Sequence, residues 1–279
     1  MPPTTAPSRR RKAEPRVERF GYDRALWTEG NESAVNPQGY WSKTRRPMSC
    51  LAFVLPLLVA YELGVQWAVD AASGPLRTGA DAWVRQAMGR VGLTDRWLPP
   101  MALVGAILGW QAVARKPWGV SPRCLLGMFA ESLILGVGLI GLGELADRGF
   151  DRIEGLRGMA SPLLSADGRL ASLVGYLGAG VYEEALFRLA LIPAIYGLAR
   201  LLQAPKLLAS TLAVTGSALL FSAAHHAGAP GEAFTWFAFS YRWMAGVYFA
   251  WVFLARGFGV AVGTHAAYDI LVGGLGWHL

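Results

Sequence analysis

The stretch LASLVGYLGAGVYEEALFRLALIPAIYGLARLL, residues 170–202, decides how this chain is read. It is apolar almost throughout, yet Glu183, Glu184 and Arg188 lie near its middle. A helix crosses a bilayer with about 20 apolar residues, so the stretch has spanning length and its charges fall at membrane depth. An ionisable residue there costs on the order of 2.5–3.5 kcal/mol on insertion scales, so each one needs a partner or a task. At i, i+4 Glu184 and Arg188 share one helix face, with the acid N-terminal in the favoured order, and they can neutralise one another. Glu183 points about 100° away round the helix and is left as the freer carboxylate, suited to act as a general base or metal ligand. The bland alternative is that all three residues only tie helices together. Pro193 follows Arg188 by five residues and is expected to kink this long segment.

Working outward, further apolar runs of spanning length begin at Met48 and cover roughly 98–114, 124–146, 207–226, 234–255 and 257–276. The expected fold is all-α: a polytopic transmembrane bundle of about seven spans. Between the first two spans, Leu76, Ala80, Trp83, Val84, Ala87, Met88 and Val91 recur at helical spacing among arginines, which predicts one interfacial amphipathic helix. Composition agrees. Charged residues make up 16% of the chain, well below the roughly 25% typical of soluble domains, and mean hydropathy is +0.34. The net charge of +7 does not point to nucleic acid, because 10 of the 26 Lys and Arg precede Met48 in a polar, proline-bearing arm. That arm, residues 1–47, is expected to be disordered and cytoplasmic, since the basic loops at Arg115–Arg123, Arg200–Lys206 and Arg256 fall on its side. The plasma membrane is the expected location. Residues 48–146 read as anchoring helices and 170–276 as a catalytic core, with a break over 147–169. Cys50 and Cys124 are too few for a disulfide scaffold and read as packing residues.

All four histidines follow residue 220. His225 closes the run Phe221-Ser222-Ala223-Ala224-His225, and His265 opens His265-Ala266-Ala267-Tyr268-Asp269, where Asp269 at i, i+4 could orient the imidazole. His226 reads as a rim residue and His278 as solvated. Two histidines and two glutamates on three apolar segments form a chemical constellation rather than scattered core polarity. Straight spans would place His225 near the outer end of its helix and His265 near the inner end of its own, so a kink or re-entrant segment must bring them to one depth. Glycines at 175, 178 and 180, with Ala179, and at 257, 259 and 263 would allow close helix approach, or serve ordinary packing. Arg242 could pair with a carboxylate of the site or with a substrate C-terminus. Glu62 and Glu131 lie far from any motif.

The order Glu-Glu-x-x-x-Arg, then Phe-x-x-x-His, then His-x-x-x-Asp resembles the three-part signature of the CAAX-protease and bacteriocin-processing family, which includes the prenyl-protein endopeptidases. The resemblance covers about residues 170–276. It implies an intramembrane endopeptidase in which Glu183 activates water, Glu184 and Arg188 hold the local structure or assist, His225 works with Glu183, and His265 and Asp269 bind metal or stabilise an oxyanion. The family often carries Asn where this chain has Asp269, and an ionised Asp cannot donate to an oxyanion. Glu183, His225 and His265 have the ligand types of a catalytic zinc site with an open position, so Zn2+ is one option and a metal-free glutamate/histidine pair the other. The implied partners are the bilayer and a membrane-associated or lipidated peptide substrate. The competing class is a non-catalytic membrane scaffold, immunity or assembly factor on the same fold. A proton-coupled transporter would more typically show repeated halves, which are not found.

Overall fold

The computed structural model describes residues 39–69, 77–151, 166–227 and 233–276. The basic arm up to residue 38, the charges at Arg152, Glu154 and Arg157, and His278 lie outside the described residues. Every regular element among the described residues is helical: α1 (Tyr40–Thr44), α2 (Pro47–Val69), α3 (Gly79–Arg90), α4 (Leu98–Ala114), α5 (Pro122–Asp151), α6 (Ala166–Gly178), α7 (Ile192–Leu201), α8 (Lys206–Ala224), α9 (Trp236–Arg256) and α10 (Phe258–Asp269). Two π-helical segments, Ala179–Glu183 and Ala185–Leu191, join α6 to α7, and a third, Ile270–Gly274, follows α10.

Helices occupy the expected apolar runs, but among the described residues length and composition qualify three of them to cross a membrane: Pro47–Trp67, Pro122–Gly149 and Lys206–Ala224. α4 is apolar but shorter. The expected 170–202 span is interrupted by π turns and charge, α9 carries Arg242 and ends on Arg256, and α10 has only 12 residues. The fourth segment is irregular before the expected place. The irregular turns precede Pro193, which sits at the start of α7, where its missing N–H and fixed φ are tolerated.

α10 is the centre of the bundle, and Phe258 through Ala267 are all buried. It runs parallel to α5 in a register set by small residues: a side chain at Gly259 would meet Met128, one at Gly263 would meet Ser132, and one at Gly136 would meet Ala267 and Tyr268. Gly259 therefore lies level with a position six residues into α5. At 1.5 Å per residue, α10, which begins one residue earlier at Phe258, starts about 7.5 Å beyond the start of α5. This recess resolves the depth problem, because His265 is carried deeper than a span beginning at the surface would carry it.

The turn into α10 is made by Gly257 at φ +94°, packed 3.1 Å from the Cα of Arg45 by the position a Cβ would take, where only glycine fits without strain. Arg256 just before it is buried and paired with Glu131, whose Oε2 also accepts from the Tyr40 hydroxyl at 2.6 Å. The guanidinium lies over the Trp41 ring at 3.5 Å. Burial and then the bond to Glu131 raise the Tyr40 phenol above its ordinary pKa, so it stays a donor. Glu131 thus has a structural partner that no motif announced.

The predicted interfacial helix is α3, N-capped by Thr78, whose hydroxyl accepts from the Asp81 N–H. Ala80 and Asp81 are buried against the bundle, so the helix caps the protein as well as presenting a face to its surroundings.

Candidate active site

The π turns place two consecutive carboxylates in different surroundings. Glu184 and Arg188 are fully buried, with Arg188 Nε 3.2 Å from Glu184 Oε2, the i, i+4 pair that spacing predicts. Arg188 also donates through Nη2 to the Gly246 carbonyl at 3.2 Å, and its guanidinium lies 4.4 Å from the Phe221 ring centre and 5.4 Å from that of Phe249. A buried charge is tolerated when it is paired and hydrogen-bonded, and here aromatic faces close the remaining sides.

Glu183 differs. Its side chain keeps 13% exposure against none for Glu184, and its Oε2 is buried with no hydrogen-bond partner among the described residues. Two imidazoles approach that oxygen: His225 Nε2 at 3.7 Å and His265 Nε2 at 3.8 Å. Gly180 makes this approach feasible, since a Cβ there would lie 2.9 Å from Ala266 Cβ and 3.0 Å from the Val262 carbonyl oxygen. Without a side chain at 180, the π segment and α10 touch backbone to backbone.

His225 caps the C-terminus of α8, and its Nδ1 is 2.8 Å from the Phe221 carbonyl oxygen. A carbonyl only accepts, so Nδ1 carries the proton and Nε2 faces Glu183 as a lone pair or a second N–H. Spacing assigns Asp269 to orient His265, but the geometry differs. His265 Nδ1 is 2.8 Å from Glu184 Oε1, while Asp269 Oδ2 lies 3.6 Å from Nε2. Glu184 therefore orients the ring, and Phe249 stacks on its face at 4.4 Å with an interplanar angle of 13°. The Arg242 charge acts on both Glu183 and Asp269. His226 packs against Phe234 and Phe239 instead of joining the cluster.

Two participants have no motif. Phe249 belongs to an aromatic-rich helix whose individual rings carry no spacing signal. Glu62 accepts from the Tyr182 hydroxyl at 2.6 Å, one residue before Glu183.

The donor types at the cluster match a zinc set, and their spacing is wider than a bound zinc would hold. A tetrahedral zinc with bonds of about 2.0–2.1 Å holds its ligand atoms about 3.4 Å apart. The two separations from Glu183 are longer, and among the described residues no group of three or more His, Cys, Asp or Glu is arranged to hold a metal ion.

Residues 166–271 match the family model described as type II CAAX prenyl endopeptidase Rce1-like. Comparison with curated proteins and with solved structures gave no match. The matched segment contains Glu183, Glu184, Arg188, His225, His265 and Asp269, so this part of the chain is similar to the CAAX-protease and bacteriocin-processing family.

Proposed function

We propose that the protein is an intramembrane endopeptidase that hydrolyses a peptide bond of a membrane-associated or lipidated substrate, with Glu183 as the base that activates water. The observation that carries this reading is the approach of His225 Nε2 and His265 Nε2, at 3.7 and 3.8 Å, to one buried carboxylate oxygen. Each of those separations exceeds a direct hydrogen bond, the spacing at which a bridging water can join two polar groups. Glu183 takes the water proton as the oxygen bonds to the scissile carbonyl carbon, whose π electrons move onto its oxygen. His225 holds the same water and shares the proton. The proton then passes to the leaving nitrogen as the C–N bond breaks, giving a carboxylic acid, which keeps the second water proton until it ionises, and an amine.

The bonding at His265 supports an oxyanion role. An imidazolium at His265, held by Glu184 through Nδ1 at 2.8 Å and faced by Asp269 at 3.6 Å, presents its Nε2–H to developing negative charge. Asp269 then helps keep that proton in place. In this reading the chain forms a seven-span bundle in the plasma membrane with its arm cytoplasmic, residues 48–146 anchoring and 170–276 catalysing.

The test is a panel of quenched-fluorescent peptides, prenylated CAAX tails among them, incubated with purified protein in liposomes, with products identified by mass. Cleavage by wild type that is lost in His225→Ala supports the reading. Absence of cleavage across the panel by folded protein contradicts it. A chelator arm tests zinc, whose donor types are present: activity lost with chelator and restored by Zn2+ would assign Glu183, His225 and His265 as ligands.

A further inference from the structure

Glu62, unassigned by any motif, is the centre of a charge cluster between α2, α3 and the π turns. Arg85 donates to both of its oxygens, at 3.0 and 3.3 Å, and Arg77 Nη1 lies 3.5 Å from Oε2. The same arginines bind Asp81 at 2.7 Å each, and the Tyr61 hydroxyl donates to Asp81 at 2.9 Å. Two carboxylates face two guanidiniums, so the cluster is neutral and self-contained. Desolvation opposes the Arg77 charge, but the bond to Asp81 and the charges of Asp81 and Glu62 outweigh it and raise its pKa.

One neutral group leaves this cluster for the catalytic helix. The Tyr182 hydroxyl donates to Glu62 Oε1 at 2.6 Å, its ring is buried, and it packs edge-on to Tyr61 at 5.6 Å. Tyr182 sits inside the π-helical segment Ala179–Glu183, immediately before the proposed base. A π turn is a rare conformation that occurs mostly as short segments at functional sites, and unfavourable local conformations persist where the surrounding structure over-determines them. On the far side of Glu183, Glu184 is anchored to Arg188 and His265. Glu183 therefore lies between two tethered neighbours, one pulled toward α2 and α3 and the other toward α10.

We propose that Glu62 and Tyr182 are positioning residues: the Tyr182–Glu62 hydrogen bond fixes the rotation of the π turn and so aims the Glu183 carboxylate between His225 and His265. This rests on Glu183 acting as the base. It also gives α3 a function, because its arginines hold Glu62 in place. Misplacing a catalytic group by about 1 Å can cost on the order of 100-fold in rate, so loss of one tether has a measurable consequence without loss of the fold.

The decisive variant is Tyr182→Phe, which removes the hydroxyl, keeps the ring and leaves Glu62 bonded to Arg85. Tyr61→Phe is the control, since its hydroxyl bonds Asp81 and the Thr78 N–H, not the π turn, and its ring stays against Tyr182. Three quantities are read in detergent: the thermal midpoint, kcat and KM on a cleaved peptide, and hydrogen–deuterium exchange of residues 179–191. Tyr182→Phe is expected to lower kcat about tenfold or more, in the range that misplaced groups produce, with KM and the midpoint held and faster exchange confined to 179–191. Tyr61→Phe, which also gives up bonds to Asp81 and Thr78, is expected to leave kcat, KM and the exchange of residues 179–191 unchanged whatever it does to the midpoint. Unchanged kcat, a loss of kcat that only follows a lowered midpoint, or unchanged exchange in Tyr182→Phe would overturn the proposal. If wild type cleaves nothing, the proteolytic reading fails by itself, and the exchange arm still decides whether the tether holds the turn.

Discussion

His265 Nδ1 and Glu184 Oε1 are 2.8 Å apart, a buried bond between residues 81 positions apart in sequence. The other oxygen of Glu184 faces Arg188, so one carboxylate ties the catalytic helix to α10 and neutralises a fully buried guanidinium. Removing one partner of a buried ion pair costs about 3–5 kcal/mol because the other charge is left uncompensated. Glu184→Ala is therefore expected to lower the thermal midpoint strongly and to abolish activity. Glu183→Gln, whose parent carboxylate has no such ion pair, is expected to leave the midpoint near wild type. Thermal unfolding of both variants in detergent, followed by tryptophan fluorescence, checks the contrast.

Phe249 stacks on His265 and closes one side of Arg188. Truncating a buried Phe to Ala costs about 3–5 kcal/mol, which would confound fold with function. Phe249→Leu keeps most of the volume and loses the flat face. It is expected to reduce kcat more than stability, checked by measuring kcat and the midpoint on the same preparation.

A methyl group at Gly180 would press on Ala266 at 2.9 Å, whereas one at Gly175 meets nothing within 4 Å. Overpacking of this kind typically costs about 1–3 kcal/mol. Gly180→Ala should push the π turn from α10, widen the Glu183–His265 separation and lower activity. Gly175→Ala should be silent in both activity and midpoint. Equal behaviour of the two variants would show that the close approach at Gly180 is unimportant.

Asp269 lies 3.6 Å from His265 Nε2, and the ring is already oriented by Glu184. Asp269→Asn keeps the shape and supplies a hydrogen-bond donor. It is expected to retain kcat/KM within about tenfold, equivalent to 1.36 kcal/mol of transition-state stabilisation. Steady-state kinetics on a cleaved peptide checks it.

Contacts within one helix were legible from spacing. Glu184 and Arg188 at i, i+4 form the pair expected of them, and Glu183, one position away, faces elsewhere. Contacts across helices were not. Spacing gives His265 to Asp269, yet Glu184 takes Nδ1, because helix packing decides which groups meet over long sequence separations. Glu62 and Glu131 belong to no motif, and of their partners Arg85 lies 23 positions from Glu62, while Tyr182, Arg256 and Tyr40 lie 91 to 125 positions away. The span count depends on depth. A hydropathy window treats α10 as starting at the membrane surface, while the register of Gly259 on Met128 and Gly263 on Ser132 sets it inside the bundle. The π turns carry no hydrophobic period of their own, so a sequence reading assigns the bend to Pro193 instead.

The central claim is that Glu183 is the base, and the most direct measurement is kcat/KM for Glu183→Gln, an isosteric change that removes only the ability to take a proton. The account predicts a loss of at least about 100-fold, the lower range for removing a general base, with an unchanged thermal midpoint. Activity within a few-fold of wild type in folded Glu183→Gln protein would contradict it.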